Sequence, residues 1–187
     1  MTLPNKLTMV RILLIPVMVI LYYIPQLREI EFAGLSLLYL LEVIIFALAS
    51  FTDFLDGNIA RKYNLVTTFG KFADPLADKM LVFTAMSIFL ADGILPMWVF
   101  VVIIIREFMV SGIRMVVVEK NVVIAASKLG KLKTATTMVA LIVMFFAGMH
   151  NAVLITSQVM MYIACALTVI SGIEYFWKNK ATILESI

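Results

Sequence analysis

Four aspartates, Asp53, Asp56, Asp74 and Asp78, stand inside or at the edge of stretches otherwise apolar enough to cross a lipid bilayer. A carboxylate in that setting needs a cation, a water-filled cavity or both, so the chain has to fold around these four side chains. The spacings i,i+3 and i,i+4 put each pair on one helix face. Two such faces turned toward each other make a cage of hard oxygen donors suited to a pair of divalent cations.

The rest of the chain supplies the apolar frame. Hydrophobic residues make up 63% and charged residues 14% of 187, which excludes a soluble domain with an ordinary core. Apolar stretches at roughly 7–25, 32–55, 71–91, 95–118, 132–149 and 152–176 predict six membrane helices. They leave no room for a soluble domain, so residues 1–187 read as a single transmembrane domain. The first stretch lacks a small-x-small cleavage site and is interrupted by Arg11, so it reads as a retained span. With the N-terminus in the cytoplasm, Arg28 is the one basic residue of fifteen that falls outside. That asymmetry follows the positive-inside rule and puts the four aspartates at the cytoplasmic boundary of a bacterial plasma membrane. The single cysteine, Cys165, excludes an intramolecular disulfide framework. The expectation is an all-α integral membrane protein whose six transmembrane helices surround a polar cavity open to the cytoplasm.

Several local features carry expectations of their own. Residues 4–8 read as a short interfacial piece before the first span, and Pro25 with the polar residues after it as the first outer turn. Gly57 is placed to end the second helix or to admit a ligand, with 58–69 as the first inner connection. Pro75 is tolerated if it lies in the first turn of the third helix and kinks that helix if it begins earlier.

Around the cage, Gly57 and Gly70 have no side chain, so a base or phosphate can lie against the backbone. Arg61 can meet a diphosphate with its fork of donors. Written out, the pattern is Asp53-x2-Asp56-Gly57-x2-Ala60-Arg61-x8-Gly70-x3-Asp74-x3-Asp78. It resembles the signature of the CDP-alcohol phosphatidyltransferase family, with all eight signature residues at the family's spacing. The resemblance implies transfer of a phosphatidyl group from CDP-diacylglycerol to an alcohol with release of CMP. It implies two divalent cations, magnesium or manganese, held by Asp53, Asp56, Asp74 and Asp78, with Asp78 as the general base. It also implies a cytidine diphosphate site at Gly57, Ala60, Arg61 and Gly70, and a homodimer working among membrane lipids with no nucleic-acid partner.

The acceptor is read from the basic residues. Arg114, Lys131 and Lys133 form a cluster suited to an anionic acceptor, a phosphate above all, unless they merely follow the positive-inside rule and touch lipid phosphates. Lys128 fits the lipid-phosphate reading better. Blocks at Pro4-Asn5-x-Leu7-Thr8-x2-Arg11, Asp74-Pro75-x-Ala77-Asp78-Lys79, Arg106-Glu107 and Ser127-x2-Gly130-Lys131-x-Lys133-Thr134 are similar to those of family members that take glycerol 3-phosphate. Asn5, Thr8 and Arg11 either reach the diphosphate or anchor the first span. Arg106 and Glu107, adjacent on a helix, are expected to pair with different partners, Glu42 being one choice for Arg106. A lone aspartate here could simply pair with Lys79. Two rivals stand beside the leading reading: another acceptor (inositol phosphate, serine or a lipid hydroxyl), and a divalent-cation transporter, whose site would lie nearer the bilayer midplane.

Overall fold

A computed structural model describes residues 3–62, 67–119 and 128–184, without the side chains of 3–4, 53–62, 68–69, 71–72, 115–119, 128 and 181–184. Six long helices carry the chain: α1 (Leu3–Tyr22), α3 (Leu37–Lys62), α4 (Thr68–Ala91), α5 (Met97–Glu119), α6 (Lys128–Phe145) and α7 (Asn151–Leu184). Between α1 and α3 lie a one-turn helix α2 (Gln26–Glu29) and a hairpin of β1 (Glu31–Phe32) and β2 (Leu35–Ser36). Apart from that hairpin and the turns, the described residues are helical. By length and composition α1 and α7 each hold a stretch long and apolar enough to cross a membrane, Asn5–Tyr22 and Asn151–Lys180. Helices α4 and α5 match them in length but carry Asp74, Asp78 and Lys79, and Arg106, Glu107 and Arg114. The charges that break the apolar signal are therefore those of the functional site.

Three local expectations need correction, and Pro75 takes the second of its two alternatives. The segment 4–8 is not a separate piece, because α1 already runs from Leu3; Pro4 falls in its first turn, where the missing N–H is not needed. The second long helix begins at Leu37, not 32, because Ala33 (φ 53°) and Gly34 (φ 79°) form the two-residue left-handed turn that pairs β1 with β2. Its far end runs through Gly57 to Lys62, so Gly57 does not terminate it and the inner connection is shorter than 58–69. Pro75 is the eighth residue of α4, beyond the first turn, and leaves the carbonyl of residue 71 without its helical donor.

Helix α1 packs against α3 and α4, α6 against α7 and α3, and α5 against α7 and α4. The core is aromatic at its centre: Phe89 and Phe145 have ring centroids 4.7 Å apart, and Phe46 lies 5.9 Å from Phe145. Met18, Leu81, Met86, Leu141 and Met144 fill the space around them. The opposite faces of α1, α5 and α7 display Leu13, Ile20, Ile105, Ile155 and Ile173 to the surroundings, as helices surrounded by lipid do.

At the end of the bundle away from Asp74, Asp92 caps α4 and ties three elements together. It accepts from Tyr22 Oη (3.0 Å), Tyr39 Oη (2.6 Å) and Arg28 Nη2 (3.0 Å), with Arg28 also lying over the Tyr22 ring. The eighteen residues from Asp74 to Asp92 span about 27 Å of helix, close to the thickness of a hydrocarbon core. Asp92→Ala strands both phenols, so it should lower stability in detergent by about 2–4 kcal/mol. Thermal unfolding measures this, and a variant that melts with the wild type would show that Asp92 does not fasten the helices.

Candidate active site

The start of α4 is shaped by Thr67, an extended residue whose Oγ1 accepts from the Gly70 amide (3.0 Å) as an N-cap. The same hydroxyl donates to Asn5 Oδ1 on α1 (2.9 Å). A Cβ at Gly70 would lie 3.2 Å from both Asn5 Oδ1 and Thr67 Oγ1 and 3.5 Å from Asp74 Oδ2. Only glycine lets the three polar groups converge. The structure brings Asn5 and Gly70 together with Asp74.

The next turns of α1 address the carboxylates of α4 directly. Thr8 Oγ1 donates to Asp74 Oδ1 at 2.6 Å, and Arg11 Nη1 to Asp78 Oδ1 at 2.8 Å. Arg11 also donates from Nε to the Ala49 carbonyl of α3 at 3.2 Å, a carbonyl that Thr52 Oγ1 approaches at 2.7 Å. Thr8 and Arg11 are fully buried. Helix α1 thus orients both α4 aspartates and grips α3 four residues before Asp53. The sequence offered Thr8 and Arg11 the diphosphate or the end of the first span; the structure gives both a carboxylate of α4, a partner it did not offer.

Asp53, Asp56, Gly57, Ala60 and Arg61 lie on continuous helical backbone in α3, but their side chains are outside the described residues. Among the described residues no group of three or more metal-ligating side chains comes together. Asp74 and Asp78 are the described half of the expected cage, and their hard oxygen donors fit a divalent cation.

Beside Asp78 lie two adjoining cavities, of about 540 Å³ and about 320 Å³. The smaller reaches Asp78 and Pro75, the larger Lys131 and Gly130, and Lys79, Glu107, Arg114, Lys133 and Thr134 line both. Arg114, Lys131 and Lys133, the expected anion site, therefore share one cavity. Lys79, weighed as a partner for an aspartate, instead donates to Ser111 Oγ on α5.

Arg106 and Glu107 depart from expectation. Arg106 Nη1 meets Glu107 Oε1 at 3.0 Å, because a long guanidinium stem can curl back along the helix to its neighbour. Lys133 Nζ meets the same oxygen. Glu42 does not pair with Arg106: it is buried, and among the described residues neither of its oxygens has a hydrogen-bond partner. Arg106 takes Ser171 Oγ on α7 instead, at 2.9 Å. Glu107 and Lys79 were legible as intramembrane charges. Ser111 and Ser171 carried no signal.

A family model described as CDP-alcohol phosphatidyltransferase matches residues 1–170. A Bacillus subtilis (strain 168) protein named CDP-diacylglycerol–glycerol-3-phosphate 3-phosphatidyltransferase is 42% identical over 182 residues, covering 95% of this chain and 94% of its own. Relatives of the same name from Rickettsia typhi (41% identical; 93% of this chain, 94% of its own) and Wigglesworthia glossinidia brevipalpis (31%; 95% and 94%) match over similar lengths.

Arg11 is fully buried but Asp78 is about a third exposed, so losing Arg11 leaves a carboxylate that water partly solvates, which costs about 1–3 kcal/mol. Arg11→Met should therefore destabilise the protein by about that amount, and adding Asp78→Asn should recover at least about half of the loss. Thermal unfolding of the two variants in detergent tests this; equal melting temperatures would mean that Arg11 does not act through Asp78.

Proposed function

The chain belongs to the CDP-alcohol phosphatidyltransferase family, and from that membership and the basic cavity beside Asp78 we propose how it works. It is a membrane-bound phosphatidyltransferase that moves the phosphatidyl group of CDP-diacylglycerol to glycerol 3-phosphate, giving phosphatidylglycerophosphate and CMP. The observation that carries the acceptor is the shared cavity: Arg114, Lys131 and Lys133 line a space that continues to Asp78. Such a site suits a small molecule with a phosphate at one end and a hydroxyl at the other. With the family placed, the cation-transport reading has no support.

The family uses divalent cations. In our reading there are two, magnesium or manganese, held by Asp53, Asp56, Asp74 and Asp78, and they supply charge neutralisation at the diphosphate and acidify the acceptor hydroxyl. The protein's own residues do the rest. Gly57, Ala60, Arg61 and Gly70, with Asn5 and Thr8, receive the cytidine diphosphate. Arg114, Lys131 and Lys133 hold the acceptor phosphate, and Asp78 takes the proton of the attacking hydroxyl. The new bond joins that oxygen to the phosphorus bearing the diacylglycerol. The bond to the CMP oxygen breaks, and CMP leaves with the electron pair. Arg11 and Thr8 aim the two α4 carboxylates, so positioning outweighs basicity in this site.

We further propose that residues 1–187 form one transferase domain of six spans in the bacterial plasma membrane, working as a homodimer, with its cavity facing the cytoplasm. The donor's acyl chains then stay in the bilayer throughout the reaction.

Purified protein with CDP-diacylglycerol and magnesium or manganese should release CMP with glycerol 3-phosphate, and not with inositol phosphate or serine. Release should stop on chelation and in Asp78→Asn, with the variant still folded. Release with a different acceptor would overturn the reading of the basic cavity, and activity surviving chelation would remove the metal assignment. Lys131→Gln should raise the KM for glycerol 3-phosphate by about tenfold while leaving that for CDP-diacylglycerol within about twofold. Equal increases would mean that Lys131 serves lipid attraction instead.

A further inference from the structure

Five cationic side chains and one carboxylate line the larger cavity: Lys79, Arg106, Arg114, Lys131 and Lys133 against Glu107. A space with that excess of positive charge attracts any phosphate. Attraction does not choose among acceptors; fixed placement does. Glu107 is where placement is built. Its Oε1 takes both Lys133 Nζ and Arg106 Nη1, and all three side chains are largely buried.

The pair is braced from its other sides. Arg106 Nη2 donates to Ser171 Oγ, and its stem crosses Gly172, where a Cβ would lie 3.1 Å from Arg106 Cγ. One turn beyond Glu107, Ser111 Oγ donates to the Glu107 carbonyl at 2.6 Å and accepts from Lys79 Nζ. Contacts from α4, α6 and α7 therefore meet on this one turn of α5. Arg114 and Lys131 differ: both are exposed, and among the described residues neither has an ion pair. An ammonium has three N–H donors, so Lys133 keeps others for a ligand while Glu107 holds one.

We propose that Glu107 is a positioning residue that sets acceptor specificity by fixing Lys133, and so the acceptor phosphate, at one distance from Asp78. The inference rests on the glycerol 3-phosphate reading above. Glu107 and Lys133 line both cavities, and the smaller cavity reaches Asp78. The pair thus stands on the wall between the phosphate and the reacting hydroxyl. Glycerol 3-phosphate bridges that separation through three carbons, and a two-carbon phosphate falls short. Without Glu107, the four-carbon stem of Lys133 follows the ligand, and chain length stops mattering.

The test compares glycerol 3-phosphate with ethylene glycol monophosphate as acceptors for the purified protein in micelles holding CDP-diacylglycerol. Glu107→Gln should lower the preference for glycerol 3-phosphate, as a ratio of kcat/KM values, by about tenfold or more, with the KM for CDP-diacylglycerol within about twofold. Lys133→Gln and the double variant Lys133→Gln, Glu107→Gln should share one ratio within about twofold, since Glu107 acts through Lys133. The double variant removes the ion pair as a unit, so this comparison decides the question even where Glu107→Gln alone does not fold. An equal fall for both acceptors in Glu107→Gln, as a merely structural role gives, overturns the proposal. So does a further change of ratio from Lys133→Gln to the double variant. Wild-type protein that used neither phosphate would overturn the acceptor reading and this inference with it. Wild-type selectivity retained in Glu107→Gln would overturn this inference alone.

Discussion

The pairing of Arg11 with Asp78 is the contact on which the site depends. A guanidinium with no exposure to solvent is stable among apolar helices only if a carboxylate and further acceptors meet it. Asp78 and the Ala49 carbonyl do so, one from α4 and one from α3. The arginine thereby fixes the separation of the two helices that carry the four aspartates. Two turns of α1 bear Asn5, Thr8 and Arg11 in succession, and each reaches the α4 side of the site at a different height. Helix α1 is therefore more than a membrane anchor: it is the third wall of the carboxylate site.

The same requirement organises the opposite side of Asp78 by different means. There the positive charges outnumber the negative, and Glu107 is the one carboxylate among five cations lining the larger cavity. Hydroxyls take up part of the difference, Ser111 for Lys79 and Ser171 for Arg106. The surplus is left on Arg114 and Lys131, at positions open to an incoming anion. A bundle of apolar helices tolerates such a surplus only where a charged ligand or water is to enter. On this side of Asp78 the described cations thus outnumber the carboxylates, which suits an anionic ligand.

The chemistry was legible in the sequence because it is written at fixed local spacing. Asp74 and Asp78 share a face of α4 whatever the rest of the chain does, and Gly70 stands one turn before them. Arg114, Lys131 and Lys133 were legible as charges in or beside apolar stretches. What could not be read was what depends on neighbours. Gly57 does not end α3 because an isolated glycine weakens a helix by only about 1 kcal/mol, which packing overrides. Arg106 curls onto Glu107 because Lys133 and Ser171 lie where they do, and those positions follow from how α6 and α7 pack. The Ala33-Gly34 turn was hidden in an apolar surrounding that reads equally well as the start of a helix.

Glu42 marks the limit of that reading. An acidic residue in the middle of an apolar helix calls for a partner, and Arg106 was one candidate. The structure places it instead in the packed interior of α3, with neither oxygen hydrogen-bonded among the described residues. Like Glu107 it is an acidic residue within an apolar helix, yet it is buried without a hydrogen-bond partner among the described residues while Glu107 stands on a cavity wall. What separates them is the density of cations arriving from other helices. Three basic side chains of α4 and α6 share a cavity with Glu107. A charge in an apolar helix is therefore read as functional only once its neighbours on other helices are known, and here they divide two similar glutamates into different roles.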